Sequence, residues 1–320
     1  MAKVLITTVP FGEKSRVPID LLEKANIEYV INPLGRKLKE PELADMVGEF
    51  DGLIAGTEII SRKVLERASK LKLISRVGVG LDGVDLLAAR NLGILVSYTP
   101  DAPVLAVADL TTGLMFNLLR GVHIANSEMH RGKWIRHFGR RIQDVTIGII
   151  GAGRIGAQVI SILEALDVKR ILVNDINQEL QMHSVEKEFI YKEADVISLH
   201  VPLTDLTKNM IRKEQLLSMK SDAILINTAR GGIINEQDLI DVLNNGYLGS
   251  VAVDVFEQEP YVGGLSNIER CLLTSHMGSM SVDCRTRMEV EATEELARYF
   301  SGLPLQGLVP EYEYDSRGLA

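Results

Sequence analysis

The stretch VTIGIIGAGRIGAQVISILEAL, Val145 to Leu166, decides the fold. VTIGII is a short β-branched run that reads as a buried strand, and RIGAQVISILEAL carries apolar residues at helical spacing. Between them Gly151, Gly153 and Gly156 stand in G-x-G-x-x-G spacing. The spacing alone is weak, but strand before and helix after is the context that a dinucleotide fingerprint needs. Gly151 permits the tight turn, Gly153 lets backbone approach a pyrophosphate, and Gly156 lets the helix pack on the strand. The helix start supplies unpaired N–H groups and a positive partial charge.

The next strand, RILVND, ends in Asp175, 19 residues after Gly156. A carboxylate there accepts from ribose hydroxyls and repels a 2′-phosphate, and no arginine follows in INQEL. The expected cofactor is therefore NAD rather than NADP. The competing reading is a glycine-rich turn without ligand and an aspartate capping a helix.

Working outward, strands and helices alternate along the chain. KVLITT, EYVIN, GLIAG, LKLISRV and ILVSYT read as strands, separated by helical PIDLLEKA, EPELADMVGEF, SRKVLERASK and VDLLAARNLG. That alternation predicts a parallel sheet with crossover helices. TPDAP, Thr99 to Pro103, is a turn-rich break suited to a hinge. VLAVADLTTGLMFNLLRGVHIANSEMHRG then reads as one long helix, apolar on most faces and largely buried. After the fingerprint strand come VISLHV, AILINT, SVAVDV and CLLTS, and a last long helix from about 282 to 301. The expected class is α/β: two Rossmann-like or flavodoxin-like domains with parallel sheets, the nucleotide domain inserted into the substrate domain. Boundaries are expected at 1–98, completed by 290–320, for the substrate domain and 99–289 for the nucleotide domain.

The 320 residues suffice for two such domains. A hydrophobic fraction of 46% and a charged fraction of 24% are those of a soluble globular protein. No apolar run approaches the ~20 residues of a membrane span, and MAKVLITTVPFGEK reads as a first strand rather than a signal peptide. A net charge of −8 without a basic run argues against nucleic acid or anionic membrane as partner. Cys271 and Cys284 match no metal or disulfide spacing and read as small core fillers. A reducing cytoplasm is the simple inference, and no clustered His/Cys pattern suggests a metal.

Three other strand ends carry polar groups: Arg230 in ILINTARGG, Asp254 with Glu257 and Glu259 in SVAVDVFEQEP, and His276 with Gly278 in CLLTSHMGS. In a parallel sheet all strand carboxyl ends share one edge, so these groups can face one crevice. The set suits hydride transfer at a carbinol. Imidazole takes the hydroxyl proton, a carboxylate beside it fixes the ring, and a guanidinium grips a substrate carboxylate in bidentate fashion. Gly231 and Gly232 would let the ligand come close.

Taken together, RVGVGLDGVD, GIIGAGRIG, VNDIN, HVPLT, NTARGG, AVDVFEQEP and TSHMGS resemble the D-isomer-specific 2-hydroxyacid dehydrogenase family, most of all its short D-3-phosphoglycerate dehydrogenase members. The resemblance runs over nearly the whole chain. It implies Arg230, Glu259 and His276 as the catalytic set, Glu259 being chosen over Glu257 because the motif's acid directly precedes the proline. Val77, Gly78 and Val79 match the loop whose amides hold the substrate carboxylate together with Arg230; Gly78 and Gly80 permit such a nest. The implied cofactor set is Gly151, Gly153, Arg154, Ile155 and Gly156 at the pyrophosphate, Asp175 at the ribose, and His200, Val201, Pro202 and Thr207 at the adenine side. Thr228 and Ala229 line the nicotinamide side, Asp254 would bind the carboxamide, and His276 and Gly278 complete the set. HVPL also reads as a strand ending at a proline, with His200 a wall rather than a chemical group.

The chain departs from that pattern in three places. Phosphoglycerate enzymes of the family commonly carry arginine after the third strand, where this chain has Ala55, Gly56, Thr57 and Glu58. An added carboxylate opposes a phosphate unless cations such as Lys14, Arg16 and Arg36 compensate. Pro103 stands where a small polar residue is usual, and Asp109 where the long helix usually has glutamate. The expected substrate is 3-phosphoglycerate, with hydroxypyruvate or glyoxylate reduction and a phosphonate or sugar-acid analogue as alternatives. An NAD-sensing, corepressor-like interaction protein is the alternative of a different class. A twofold dimer through the nucleotide domain is also expected.

Overall fold

The computed structural model describes residues 1–177 and 184–315. Its chain forms two units, Met1–Pro103 with Ser279–Ala320, and Val104–Gly278. The units part after Pro103 and after Gly278, so TPDAP and the whole last long helix fall in the first unit.

The first unit opens with β1 (Lys3–Ile6), α1 (Val17–Lys24), β2 (Glu28–Ile31), α2 (Glu40–Met46), β3 (Gly52–Ala55), α3 (Arg62–Arg67), β4 (Leu73–Arg76), α4 (Leu86–Asn91) and β5 (Leu95–Ser97). The strands lie in the order β2-β1-β3-β4-β5, all parallel. β3 and β4 are buried at every residue, as central parallel strands covered on both faces must be. β2 is the exposed edge.

The second unit begins with α5 (Val104–Arg120) and α6 (Val122–His130). These correct the expectation of one long buried helix: Gly121 adopts φ 61°, the two segments bend by 65°, and α6 buries none of its residues. A continuous apolar pattern does not reveal a left-handed residue, which glycine adopts without a Cβ clash. Then follow β6 (Thr146–Ile150), α7 (Arg154–Ala165), β7 (Arg170–Asn174), α8 (Lys187–Glu193), β8 (Val196–Leu199), α9 (Lys213–Ser218), β9 (Ile224–Asn227), α10 (Glu236–Asn244), β10 (Ser250–Val253) and β11 (Cys271–Leu273). The sheet order is β11-β10-β9-β8-β6-β7, again all parallel. The buried face of α5, including Ala108, Met115 and Leu119, packs with Ile147, Ile149, Val159 and Leu163 from β6 and α7.

The chain then returns to the first unit through α11 (Val282–Phe300), whose N-cap Ser281 accepts the Cys284 amide, and α12 (Glu311–Asp315). The carboxylate of Glu295 accepts the Gln306 and Gly307 amides, and the Val309 amide donates to the Val96 carbonyl, tying the tail to β5. Cys271 and Cys284 are buried, and burial pushes both thiols up to about 11. No single helix among the described residues is long and apolar enough to cross a membrane.

Candidate active site

The glycine turn after β6 is dictated by close packing. A Cβ on Gly151, which has φ 95°, would stand 2.7 Å from the His200 carbonyl carbon and oxygen. A Cβ on Gly156 would stand 1.9 Å from the Gly151 carbonyl oxygen, so α7 can pack on the turn only without one. Gly153 is different: it caps α7 and the space beside it is open. Nothing in the protein requires glycine there, which fits a surface that a pyrophosphate approaches. Arg154 and Ile155 open α7 behind it.

Asp175 follows β7. One of its oxygens accepts the Ala152 amide at 2.6 Å and the other the Asn177 amide at 2.8 Å. The carboxylate thus braces the glycine turn. Residues 178–180, the QEL of the arginine-free INQEL segment, lie outside the described residues.

His200 follows β8, with Nε2 2.9 Å from Ser198 Oγ. Burial pushes its pKa down to about 4, so the ring is neutral at physiological pH. It serves packing, together with Val201, whose methyl lies against Gly151. Thr207 closes the turn beyond Pro202 by donating to the Pro202 carbonyl at 2.5 Å and accepting the Thr204 amide at 2.8 Å.

At the end of β9, Thr228 Oγ1 is 2.8 Å from Thr111 Oγ1 on α5, and the Ala229 amide donates to Asn227 Oδ1 at 3.1 Å. Arg230 is half-buried; Asn227 Nδ2 donates to its carbonyl, and its Nη1 donates to the Ala229 carbonyl at 2.6 Å. The following glycines have a different cause from ligand access. A Gly231 Cβ would stand 2.0 Å from the Phe256 carbonyl oxygen, and Gly232 takes φ 80°.

His276 and Glu259 meet. Nδ1 of His276 lies 2.8 and 3.0 Å from the two Glu259 oxygens, with the side chains 36% and 23% exposed. With Nδ1 facing a carboxylate, Nε2 is the ring nitrogen turned to other partners. Glu257 is engaged elsewhere: its amide donates to Glu236 Oε1 at 2.6 Å and its carboxylate accepts the Glu236 amide. Burial, then Glu257 and Glu259, raise the Glu236 pKa. Asp254 is fully buried. Its carboxylate accepts the Thr274 hydroxyl at 2.6 Å and the Met277 and Gly278 amides at 2.9 Å each. These bonds brace the loop that presents His276.

In the first unit, the loop after β4 allocates its amides differently from the expectation. Val77 donates to the Ala55 carbonyl at 2.9 Å, extending the ladder, and Gly78 donates to Thr99 Oγ1 at 2.8 Å. The N–H groups of Val79 and Gly80 have no partner among the described residues. Arg76, 5% exposed, donates from Nε and Nη2 to the Gly80 carbonyl at 3.2 and 2.8 Å and so shapes this loop. Sequence reasoning missed Arg76, Thr99 and Thr111. The one available signal was a cation ending the apolar run LKLIS. Among the described residues no group of three or more His, Cys, Asp or Glu is placed to hold a metal.

Comparison with known proteins adds the following. The profile described as "D-isomer specific 2-hydroxyacid dehydrogenase, NAD binding domain" matches residues 112–278. A D-3-phosphoglycerate dehydrogenase of Synechocystis sp. is 32% identical over 97% of this chain, and the chain spans 56% of that relative's length. A hydroxypyruvate reductase of Thermotoga maritima is 33% identical over 86% of this chain and 92% of its own. Among solved structures, the TT0316 protein of Thermus thermophilus is similar with a TM-score of 0.88 at 33% identity, covering 96% of this chain and 100% of that one.

Proposed function

The chain belongs to the D-isomer-specific 2-hydroxyacid dehydrogenase family, and on that premise we propose that it transfers a hydride between NAD(H) and a small D-2-hydroxy acid or its 2-oxo counterpart. The observation that carries this reading is the His276–Glu259 contact, Nδ1 to carboxylate at 2.8 Å, on the strand-end edge where Arg230 also stands.

NAD, when bound, supplies the carbon that accepts or donates hydride. Gly153, Arg154 and Ile155 hold its pyrophosphate at the α7 start, and Asp175 takes a ribose hydroxyl. His200, Val201, Pro202 and Thr207 wall the adenine side. Thr228, Ala229, Asp254, His276 and Gly278 border the nicotinamide, Asp254 and Gly278 by way of the loop they share.

In the oxidative direction His276 Nε2 takes the hydroxyl proton, and Glu259 stabilises the imidazolium that results. In the reductive direction the same nitrogen returns the proton to the new alkoxide. Arg230 grips the substrate carboxylate and polarises the oxygen on the reacting carbon. In the first unit, Val79 and Gly80 supply amide donors of the kind a carboxylate accepts, on the loop that Val77 and Gly78 anchor.

The expectation of 3-phosphoglycerate rests on one set of relatives, while those named hydroxypyruvate and glyoxylate reductases match at 33% and 34% identity. The buried thiols at 271 and 284 support a reducing, cytoplasmic setting.

The test is a panel of 2-oxo acids scored by NADH absorbance. Parent protein should turn over at least one of them. His276→Ala should lower kcat by about 10²- to 10⁴-fold, the span of a lost general acid–base. Arg230→Ala should lower kcat and raise KM for the acid. Unchanged rates in both variants would overturn the role assignments.

A further inference from the structure

The loop between β10 and β11 carries Glu259 to His276, and an acid outside both strands holds that loop. Glu236 opens α10, a short way along the chain from Arg230. It does not cap its own helix. Asn235 does so, its side chain accepting the Asp238 amide at 3.0 Å. Glu236 instead accepts the Glu257 amide at 2.6 Å, and its own amide donates back to the Glu257 carboxylate at 3.3 Å. An acid at a helix start is favourable by itself, but this one gives its oxygen to another loop's backbone. The segment before it is fixed in turn. The Asn235 amide donates to the Ile211 carbonyl at 2.9 Å, and the Ile211 amide donates to the Ile233 carbonyl at 3.1 Å.

The peptide between Phe256 and Glu257 is where these constraints meet. Its N–H goes to Glu236. Its carbonyl lies against Gly231, the neighbour of Arg230, where a Cβ would stand 2.0 Å from the Phe256 oxygen. The buried Phe256 ring stacks on Tyr261 with centroids 4.1 Å apart. The Phe256 amide donates to Glu259 Oε1 at 3.2 Å, and the same oxygen lies 3.0 Å from His276 Nδ1. A chain of contacts thus runs from Glu236 through one peptide to the carboxylate beside the imidazole. Burial opposes charge on Glu236, the Glu257 amide favours it, and the charges of Glu257 and Glu259 oppose it again. Glu236 therefore stands within electrostatic reach of Glu259 as well as of its own partner.

We infer that Glu236 is a positioning residue for hydride transfer: its hydrogen bond from the Glu257 amide fixes the loop from which Glu259 orients His276. The inference rests on the oxidoreductase reading above and adds to it a residue that acts through Glu259 rather than on the substrate. A catalytic group stays within about 0.5 Å of its productive place only when its neighbours are themselves locked. Glu236 meets that need because its backbone is tied to Ile211 through Asn235. The amide requires an oxygen at the right reach, whether charged or neutral. Without that oxygen the Phe256–Glu257 peptide loses its partner on the N–H side and can turn. The turn carries the Phe256 amide, and with it the Glu259 carboxylate, away from the ring.

The experiment measures kcat and KM of the full chain with NADH and hydroxypyruvate, or the panel acid that the parent reduces fastest where that is another. The proteins are the parent, Glu236→Ala, Glu236→Gln and Glu236→Asp, each with its thermal melt and its NADH affinity by calorimetry. Glu236→Ala should lower kcat by about 10- to 100-fold, the scale of a misplacement of roughly 1 Å. KM and NADH affinity should stay within about twofold of the parent, as for an interaction that matters in the transition state. Glu236→Gln keeps an acceptor at full reach and should recover kcat to within about threefold of the parent. Glu236→Asp keeps the charge but withdraws the oxygen by one methylene, so it should fall below Glu236→Gln. A parent-like kcat in Glu236→Ala, or a Glu236→Gln no faster than Glu236→Ala, overturns the inference and leaves the oxidoreductase reading intact. So does a loss that follows NADH affinity rather than kcat. Should Glu236→Ala not fold, the other two decide, and Glu236→Asp at or above Glu236→Gln overturns the inference. A parent that reduces no acid in the panel removes the oxidoreductase reading and this inference with it.

Discussion

His276 sits at φ 51°, a region that costs a non-glycine residue on the order of 1–3 kcal/mol. Asp254 offsets that cost with three hydrogen bonds to the loop, and Glu259 fixes the ring, so backbone and side chain are set by different acids. His200 shows the opposite use of imidazole. Its pKa falls to about 4 from 6.5 because burial disfavours the cation. Between those values the unfolded chain binds a proton that the folded chain excludes. Stability is therefore complete above pH 6.5 and declines as pH falls toward 4. His200→Asn should remove on the order of 1–3 kcal/mol of the loss between pH 7 and pH 4.5 in urea titrations. An acid loss identical to the parent's would show that His200 is not its source. At this scale residue types were legible and their allegiances were not. His276 was legible as a strand-end group, whereas the choice of Glu259 over Glu257 came from the family resemblance; in the fold the two meet, Nδ1 to carboxylate at 2.8 Å. Asp254 turned inward to brace a loop, and Gly78 spent its amide on Thr99, because donor pairing depends on neighbours far along the chain.

The β6–turn–α7 element shows how glycine requirements separate by cause. Gly156 is glycine because its Cβ would collide with a carbonyl oxygen at 1.9 Å, whereas the space beside Gly153 is open. Gly156→Ala should therefore destabilise the fold, by about 1–3 kcal/mol as overpacking does, read in thermal or urea melts. Gly153→Ala should melt with the parent yet weaken NADH binding in calorimetric titration, because its methyl occupies ground meant for the pyrophosphate. Equal melting of the parent and Gly156→Ala, or undiminished affinity in Gly153→Ala, would contradict this division. The strands were readable because central parallel strands are buried on both faces and so mostly apolar, and β3, β4, β8, β9 and β10 are buried at every residue. α8 and α9, of seven and six residues, are too short for a clear 3.6-residue period. The α5–α6 break was invisible because Gly121 interrupts the backbone and leaves the apolar pattern running on.

Over the whole chain, the exposed apolar side chains gather in the later part of the stretch read as one long helix and just beyond it. α5 buries its apolar face within its own unit, against β6 and α7. Leu105 and Phe116 of α5 are nevertheless exposed, and a denser exposed apolar set follows in the same unit: Val122 and Met129 on α6, each about half exposed, then Trp134 at 81%, Ile135 about half exposed and Phe138 fully exposed. Five large apolar groups within one short span exceed what scattered surface residues explain. Trp and Phe are also the side chains that anchor interfaces, because each buries some 150–250 Å² on contact. The bend at Gly121 gives α6 a direction separate from α5, so none of its residues is committed to the core of its own unit. A homodimer through this span of the second unit is the association that the arrangement favours. Sedimentation of the parent at micromolar concentration should give twice the 35.3 kDa chain mass. Replacing Trp134 and Phe138 together by glutamate should give the single-chain mass with an unchanged far-UV spectrum, since neither side chain is buried in one chain and the fold loses nothing by the exchange. A parent that sediments as one chain, or a dimer that survives the double substitution, would mean that these aromatic groups face water for another reason.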